Sequence, residues 1–429
     1  GVDISEERVG VIRQGKSPFY EPGLERALAE VFKSGQFQVA TRLESVAEAD
    51  VIMICVGTPA ARDGAIELTM LREALNHIAD ALQNGDHYQI VVVRSTVVPG
   101  TTESLVWPVI ERAGKFRTHP VGLAVNPEFL REGRALKDFL NPDRIVIGEL
   151  NSRSGETLSK VYEAFDAPLI RTTPAAAEMI KYTSNALLAT LISFSNEIAR
   201  ICESLPGVDV EEILEALHLD RRLTLRANGR RISAGINHYL KAGCSYGGSC
   251  LPKDLEALIA LARERGLEPQ LLAAVRSVNQ SQRIHLVNLA ERSIGELKGK
   301  RVLILGLSFK EGTDDVRDSP AFSVVAELLR RGASVVVADP LVKKEQVAEL
   351  LELGAQFTHD PVSAFKGADV CFITTSAAEF KFVGAALGPA ALGAKQPIVV
   401  DGRRVLPPSA VSRNHNYIAI GLGSAFHRD

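Results

Sequence analysis

The chain has 429 residues, of which 46% are hydrophobic and 24% charged, and its formal net charge is −3. This composition is typical of a globular protein with two or three domains, and it gives no reason to expect nucleic acid or an anionic membrane as a partner. The sequence shows no signal peptide and no apolar run of about 18 residues, the length that a membrane span needs. Five scattered cysteines predict neither a disulfide framework nor a zinc site, so we expect a cytoplasmic protein without a metal.

The first residues look like the end of a strand that leads directly into a helix. Asp3 would close this strand, and in a dinucleotide-binding unit such an acid holds the adenosine ribose. An acid at this place favours NAD over NADP, because it repels a 2′-phosphate. The strand and G-x-G-x-x-G turn that open such a unit would lie roughly 20 residues earlier, so we expect a segment before Gly1.

Three apolar runs, at residues 50–56, 90–93 and 123–125, predict buried parallel strands. They end in polar loops: Gly57-Thr58-Pro59, Arg94-Ser95-Thr96, and the run from Asn126 to Gly133. Each loop alone is also compatible with an ordinary turn. Because α/β folds bind ligands at the carboxyl ends of their strands, the three loops together predict one cofactor-binding edge.

Residues 174–203 predict one long helix, so densely apolar that it needs cover from other domains or from a second subunit. Lys181 and Asn185 are four residues apart and therefore share a face of this helix. Their ammonium and amide groups would suit an alcohol oxygen undergoing oxidation; the alternative is a salt-bridged lysine and a surface asparagine. A second helix is predicted over residues 210–217. The basic segment 221–231 that follows suits a solvated face or a phosphate site.

The run Tyr246-Gly247-Gly248-Ser249-Cys250-Leu251-Pro252-Lys253-Asp254 places a cysteine just before a predicted helix. Pro252 suits the first helical turn, where the N–H that proline lacks has no partner. A thiol at a helix N-terminus is stabilised as the thiolate, the form that attacks carbonyl carbon. Asp254, one turn further, is close enough to hold a water molecule or the thiol proton. The alternative is a buried, inert cysteine beside a glycine-rich turn.

A third unit begins near Lys300. Residues 301–308 predict a strand that ends in a glycine turn, and further strands are predicted at 334–338, 369–374 and 397–400. One glycine where a dinucleotide fingerprint has three favours a nucleoside diphosphate as the ligand of this unit. We therefore predict an α/β protein with two Rossmann-like doubly wound domains, residues 1–170 and 291–429. A long central helix and a helical middle domain, residues 171–290, would join them.

These motifs follow one another as they do in the nucleotide-sugar 6-dehydrogenases of the UDP-glucose/GDP-mannose dehydrogenase family, which the chain resembles along essentially its whole length. The matching segments are Gly57-Thr58-Pro59, Arg94-Ser95-Thr96-Val97, Asn126-Pro127-Glu128-Phe129-Leu130, residues 178–185, residues 247–254, Gly306-Leu307-Ser308-Phe309-Lys310, Asp314-Asp315-Val316-Arg317 and Asp401-Gly402-Arg403-Arg404.

The resemblance implies a four-electron oxidation of the C6 alcohol of a nucleotide sugar, with two NAD⁺ used in succession. Cys250 would carry the thiohemiacetal and thioester intermediates. Lys181 and Asn185 would stabilise the anionic oxygen, and Asp254 would help to activate the thiol or water. Thr96 would position a water molecule, and Glu128 would be a general base. The product would be a uronic-acid precursor of polysaccharide.

The resemblance also assigns binding residues. The positions that would bind NAD are Asp3, Arg8, Val56, Gly57, Thr58, Pro59, Ala60, Ser95, Thr96, Glu132 and Arg317. The positions that would bind the nucleotide sugar are Phe129, Leu130, Arg131, Glu132, Lys181, Asn185, Lys241, Tyr246, Gly247, Phe309, Lys310 and Arg403. The family's arginine from the neighbouring subunit is not matched in register, because Ala234 stands there and Arg231 lies three residues away.

The sequence leaves alternatives open. Residues 306–310 and 249–254 also resemble GDP-mannose 6-dehydrogenases, whereas Asp401-Gly402-Arg403-Arg404 favours UDP-glucose as the substrate; UDP-N-acetylhexosamines come third. A simple alcohol dehydrogenase of the 6-phosphogluconate or hydroxyacid type would pair a helix lysine with an asparagine but would need no cysteine. A non-catalytic nucleotide-sugar binder is the remaining alternative. The apolar helix and the resemblance both favour a homodimer.

Overall fold

The computed structural model describes residues 1–42, 44–61, 63–83, 85–114, 119–227, 229–387, 396–406 and 417–423. The chain forms two compact units. The first comprises Gly1–Ser184 with Glu256–Leu267, and the second comprises Asn185–Leu255 with Glu268–Asp429. Each unit contains a mainly parallel sheet with helices, which confirms the predicted α/β class.

The sheet of the first unit has five strands in chain order. They are β1 (Val51–Ile54), β2 (Gln89–Val93), β3 (Val121–Val125), β4 (Ile145–Glu149) and β5 (Leu169–Thr172). All neighbouring pairs are parallel except β3 and β4. Every residue of β2 and β3 is buried, as the continuous apolar runs predict for strands covered on both faces. Because β1, β2 and β3 are mutually parallel, their carboxyl ends lie along one edge of the sheet.

In the part of this unit that the structure describes, six α-helices precede the last strand. They are α1 (Glu6–Arg13), α2 (Leu24–Lys33), α3 (Thr69–Leu82), α4 (Trp107–Gly114), which follows a π-helical turn at Thr102–Val106, α5 (Ala135–Leu140) and α6 (Ser152–Val161). Helix α3 buries Leu71, Leu75, Ile78 and Leu82, which recur at helical spacing, in one hydrophobic cluster with residues of β2 and β3.

The long helix α7 runs from Pro174 to Glu203, the bounds that the sequence predicts. It is followed by α8 (Val210–His218), the hairpin β6 (Thr224–Ala227) and β7 (Arg230–Ser233), α9 (Leu251–Glu264) and α10 (Gln270–Ile294). The hairpin was not predicted. Apart from Thr224, all of its described strand side chains are exposed, so the basic segment is a solvated surface in this structure.

The C-terminal sheet has the strand order β10-β9-β8-β11-β12-β13 and is parallel throughout. Its strands are β8 (Arg301–Leu305), β9 (Ser334–Ala338), β10 (Gln356–Phe357), β11 (Val370–Ile373), β12 (Ile398–Asp401) and β13 (Tyr417–Ala419). Its helices are α11 (Pro320–Arg330), α12 (Ala348–Glu352), α13 (Pro361–Gly367) and α14 (Phe382–Ala386). This is the order of a dinucleotide-binding fold, and its topological switch point lies between β8 and β11.

Among the described residues, no helix is long and apolar enough to cross a membrane. The same residues contain no group of histidine, cysteine, aspartate or glutamate side chains arranged to hold a metal ion.

Candidate active site

In the first unit, the loops that follow β1 and β2 are joined by hydroxyl groups. Thr58 Oγ1 donates to the Thr96 carbonyl oxygen at 2.6 Å, and Ser95 Oγ donates to the Val56 carbonyl oxygen at 2.7 Å. Thr58 and Ser95 are buried. The structure thus brings together two of the three loops that the sequence assigned to a cofactor-binding edge.

Asp3 follows Val2, which forms an isolated parallel bridge with Ala40. Its Oδ1 accepts from the Ser5 N–H at 2.9 Å and its Oδ2 from Arg8 Nη1 at 2.6 Å. The Ser5 N–H and the Arg8 guanidinium hold the pKa of Asp3 below its usual value. An ionised carboxylate at this position fits a ribose diol and repels a 2′-phosphate, as NAD specificity requires.

The loop after β3 places Glu128 against Lys181 of α7. Lys181 Nζ donates to Glu128 Oε1 at 2.9 Å, while Glu128 Oε2 accepts from the Leu130 N–H at 2.6 Å. The Lys181 side chain is 5% exposed and that of Glu128 is 26% exposed. The carboxylate is therefore fixed by two donors and still reaches solvent.

Phe129 is held between two cations. The Arg144 guanidinium lies 4.0 Å from the centre of its ring and Lys181 Nζ lies 5.6 Å from it. Arg144 also donates to Ser184 Oγ at 3.1 Å. These contacts attach the Glu128 loop to the first turns of α7.

A third carboxylate, Glu178, lies on α7 three residues before Lys181. It accepts from the Gly100 N–H at 2.6 Å and from the Thr102 N–H at 3.0 Å, so it satisfies donors at the start of the π-helical turn. Burial raises its pKa to about 7. Of the neighbouring residues assigned to binding, Arg131 forms a fork on Asp138. Glu132 precedes Gly133, whose N–H donates to Glu21.

In the second unit, Cys250 is exposed and immediately precedes α9, as predicted. Its carbonyl oxygen accepts from the Asp254 N–H at 2.9 Å, the first hydrogen bond of the helix. Ser249 Oγ lies 3.6 Å from Cys250 Sγ. The thiol is therefore at a helix N-terminus and open to solvent, unlike an inert core cysteine.

Asp254, one turn along α9, is 1% exposed and bonded on both oxygens. Asn185 Nδ2 donates to Oδ2 at 2.6 Å, and Lys253 Nζ donates to Oδ1 at 2.6 Å. The Asn185 amide was expected to meet a substrate oxygen; here its N–H group donates to Asp254.

Residues 243–248, which we call the leading segment, are buried and irregular, and their backbone groups bond to distant parts of the unit. Arg403 Nη1 donates to the Ser245 carbonyl oxygen at 3.1 Å, and the Cys244 N–H donates to the Gly402 carbonyl oxygen at 2.9 Å. Ser245 has a φ of 98°, which an L-residue adopts only when its surroundings impose it. The path that leads to Cys250 is thus fixed by its main chain.

The residues predicted to bind the nucleotide lie at the carboxyl ends of β8 and β12. Lys310 Nζ is 5.4 Å from the centre of the Phe309 ring. The Arg403 guanidinium donates to backbone carbonyl oxygens, from Nε to Thr374 at 2.8 Å and from Nη2 to Phe309 at 3.4 Å. Arg403 therefore joins three loops, and its predicted role in binding substrate stays a prediction. Lys241, at the start of the same region, is exposed.

Sequence reasoning missed several polar residues that support the site. Asn196 on α7 and Asn279 and Gln282 on α10 are buried amides that bond to the leading segment. Lys253 was part of a quoted motif but was given no role. The sequence signal that could have revealed them is the presence of amide side chains among the apolar residues of α10, which indicates buried hydrogen bonds.

Comparison with known proteins gives the family. Three models of the UDP-glucose/GDP-mannose dehydrogenase family match: the NAD binding domain at residues 1–166, the central domain at 175–281 and the UDP binding domain at 303–408. The matched segments cover most of the chain.

Individual relatives agree. The chain is 38% identical over 411 residues to the UDP-glucose 6-dehydrogenase AglM of Haloferax volcanii, covering 94% of this chain and 91% of the relative. It is 40% identical over 345 residues to the GDP-mannose 6-dehydrogenase of Azotobacter vinelandii, covering 80% and 76%. A UDP-glucose dehydrogenase structure from Pyrobaculum islandicum matches with a TM-score of 0.86 at 37% identity, covering 98% and 91%. The chain belongs to the UDP-glucose/GDP-mannose dehydrogenase family and is an NAD-dependent oxidoreductase of nucleotide sugars.

Proposed function

We propose that this protein oxidises the C6 alcohol of UDP-glucose to the carboxylate of UDP-glucuronate, with Cys250 as a covalent nucleophile. The observation that carries the proposal is the exposed Cys250 thiol at the N-terminus of α9, one turn before the charge-balanced Asp254. A single oxidation to an aldehyde needs no nucleophile, whereas a second oxidation needs a covalent or hydrated adduct that can lose hydride.

The reaction balances in three stages. NAD⁺, when bound, accepts one hydride in each of the two oxidations. After the alcohol has become an aldehyde, the Cys250 thiolate adds to its carbon and the new alkoxide takes up a proton, which gives a thiohemiacetal. Oxidation of this adduct, with loss of its hydroxyl proton, gives a thioester. Water then attacks the thioester and gives up its two protons, the C–S bond breaks, and the carboxylate and the Cys250 thiolate are released.

We assign proton transfer to Glu128. Its carboxylate accepts from Lys181 on one oxygen and keeps about a quarter of its surface exposed, 26%. It can therefore accept the proton of an alcohol or of water and pass it to solvent. The Lys181 ammonium is positioned to stabilise a negative oxygen. Thr96, whose backbone carbonyl already accepts from Thr58, remains the proposed water-positioning residue.

Asp254 receives a different role. Both of its oxygens are occupied by the donors of Lys253 and Asn185, and it is sealed from solvent. We propose that it holds the Asn185 side chain and the first turn of α9 in place around Cys250. Buried carboxylates with two donors are well suited to such an electrostatic anchor.

The residues that fit NAD lie in the first unit, except Arg317. Asp3 and Arg8 would hold the adenosine ribose. The backbone of residues 56–60 with Ser95 and Thr96 would line the nicotinamide side, and Glu132 would complete the site. Arg317, which pairs with Asp315, stays a predicted NAD-binding residue of the second unit.

The substrate's nucleotide would bind at the switch point of the C-terminal sheet. Phe309 and Lys310 follow β8, where a base can stack and a diphosphate can meet an ammonium group. Tyr246, Gly247 and Lys241 would complete this subsite. Leu130 and Arg131, in the Glu128 loop of the first unit, stay predicted substrate-binding residues. UDP-glucose is favoured because the relative from Haloferax volcanii is matched over 94% of this chain.

The test is the amount of NADH formed from a limiting amount of UDP-glucose by the complete protein. Two NADH per sugar, with the second lost or strongly slowed in Cys250→Ser, supports the proposal. One NADH per sugar, or full turnover by Cys250→Ser, contradicts the thioester stage and favours a simple alcohol dehydrogenase. No NADH from any nucleotide sugar favours a binding protein.

GDP-mannose is the second candidate substrate, because the Azotobacter vinelandii relative is 40% identical over 345 residues. The same assay with GDP-mannose decides between them. Two NADH per GDP-mannose and none per UDP-glucose keeps the mechanism and replaces the substrate. A UDP-N-acetylhexosamine as the third substrate in the series covers the remaining alternative.

We also propose a homodimer. Leu187, Phe194 and Ile201 are seven residues apart on α7 and are 48%, 46% and 53% exposed, so they form an apolar row on one face. A second copy would cover this row. Light scattering of the wild type and of Phe194→Glu should show a dimer that the substitution weakens; a monomeric wild type would contradict this proposal.

A further inference from the structure

Helix α10 contacts the leading segment through polar side chains, although it carries none of the residues predicted to react. Asn279 Oδ1 accepts from the Tyr246 N–H at 2.9 Å, and its Nδ2 donates to the Tyr246 carbonyl oxygen at 3.1 Å. Gln282 Nε2 donates to the Gly243 carbonyl oxygen at 2.8 Å. Both side chains are buried, and each supplies hydrogen-bond partners to backbone groups that no helix or sheet satisfies.

Arg283, the next residue on α10, makes a bidentate ion pair. Its Nη1 and Nη2 each lie 2.6 Å from one carboxylate oxygen of Asp318. The side chains are 18% and 38% exposed, and Arg283 Nε is buried without a partner. Both of its terminal nitrogens are thus directed at Asp318. Only a planar guanidinium fork makes this geometry.

Asp318 in turn lies against the glycines that precede Cys250. A Cβ atom at Gly247 would lie 2.1 Å from the Asp318 carbonyl oxygen, so no side chain fits there. The Gly248 N–H donates to the carbonyl oxygen of Arg317 at 3.0 Å. Asp318 has a φ of 48°, a left-handed conformation that aspartate and asparagine tolerate better than most residues. Its placement therefore sets where Gly247 and Gly248 lie.

We propose that Arg283 is a positioning residue of the reaction: through Asp318 it fixes Gly247 and Gly248 and so sets the pose of the Cys250 thiol. The chain of contacts runs from α10 to Asp318, from Asp318 to the two glycines, and two residues further to Cys250. It also includes the backbone of Arg317, so the same ion pair supports a residue proposed to bind NAD. This inference rests on the proposed role of Cys250 as the nucleophile.

The test uses Arg283→Lys and Asp318→Asn in the complete protein. Arg283→Lys keeps the charge but loses the fork, and Asp318→Asn keeps the tolerance of a left-handed backbone but loses the ion pair. We measure kcat, the KM for UDP-glucose and the rate at which iodoacetamide alkylates Cys250. Peptide mass spectrometry distinguishes Cys250 from the other exposed thiol, Cys55.

We expect kcat and the Cys250 alkylation rate to change together by about tenfold to a hundredfold, because small displacements of reacting groups have effects of this size. The control is Arg292→Lys, the same substitution on the same helix in an exposed arginine that pairs with Glu203. It should change neither rate.

Three results would overturn the inference: a lower melting temperature with both rates unchanged, a change in KM alone, or an equal effect of Arg292→Lys. Because alkylation needs no turnover, it reports the pose of Cys250 even if Cys250→Ser shows that the thiol is not the nucleophile. Failure of the proposed function and failure of this inference are thus separate results.

Discussion

Two carboxylates that pair with lysines, Glu128 in the first unit and Asp254 in the second, differ in their access to water. Glu128 meets Lys181 with one oxygen and a backbone N–H with the other, and 26% of its side chain is exposed. Asp254 meets Lys253 and Asn185 and is 1% exposed at its side chain. A carboxylate that moves protons needs a path to solvent, whereas one that orients neighbours works best without it. A carboxylate paired with a lysine can thus transfer protons where it is exposed and orient its neighbours where it is buried.

The largest effect is expected for Glu128→Gln. Removing a general base should lower kcat by about a hundredfold to ten-thousandfold. Stability should also fall, because the substitution leaves the Lys181 ammonium, whose side chain is 5% exposed, without its carboxylate. Steady-state kinetics and urea unfolding of the same preparation measure both. A normal kcat would contradict the assignment of Glu128 and with it the contrast between the two carboxylates.

Asp254→Asn should destabilise the protein by about 3 to 5 kcal/mol, because it leaves the largely buried Lys253 ammonium without its partner. The free energy of unfolding from denaturant titration measures this loss. The matched variant is Asp254→Asn with Lys253→Met, which removes the orphaned charge. It should recover stability but not kcat; recovery of both would show that Asp254 acts only through Lys253.

Glu178, a third carboxylate, should make the stability of the protein depend on pH. Its pKa of about 7 lies above its ordinary value of 4.5, so the folded state binds more protons than the unfolded state between these pH values. Stability should therefore fall as the pH rises through this window, by about 3 kcal/mol in total. Glu178→Gln cannot ionise and should remove this fall. Unfolding free energies at several pH values test it, and parallel curves for both proteins would contradict it.

The smallest effect is expected for Arg144→Leu, which removes the cation that lies 4.0 Å from the Phe129 ring. We expect a loss of about 1 kcal/mol in stability and a rise in the KM for the nucleotide sugar. The control is Arg153→Leu, since Arg153 lies 3.7 Å from the Tyr88 ring in the same unit. A similar rise in KM for the control would show that the Glu128 loop is not the cause.

The strands and long helices were predictable because their apolar patterns are local. The bounds of α7 were predicted without error, and the predicted strand at residues 334–338 is β9. Cys250 was placed at a helix start by Pro252 and its neighbours alone. The β6–β7 hairpin was missed because its arginines interrupt the alternation that marks a strand.

The site's hydrogen bonds were not predictable, because they join residues far apart in the chain. Asn185 meets Asp254 across 69 positions, and Arg403 meets Ser245 across 158. No local pattern shows whether a helix amide faces a substrate or a neighbouring carboxylate. The sequence named Asn185 and Asp254 as members of the site, and only the structure pairs them.

The leading segment should tolerate substitution of several of its side chains. Because atoms of its main chain make the bonds to Asn196, Asn279, Gln282 and Arg403, substitutions within it leave those bonding groups in place. What limits its sequence is volume at Gly247 and Gly248 and backbone handedness at Ser245 and Gly248. A library that varies Tyr246 can therefore search for new nucleotide-sugar specificities while the approach to Cys250 keeps its anchors.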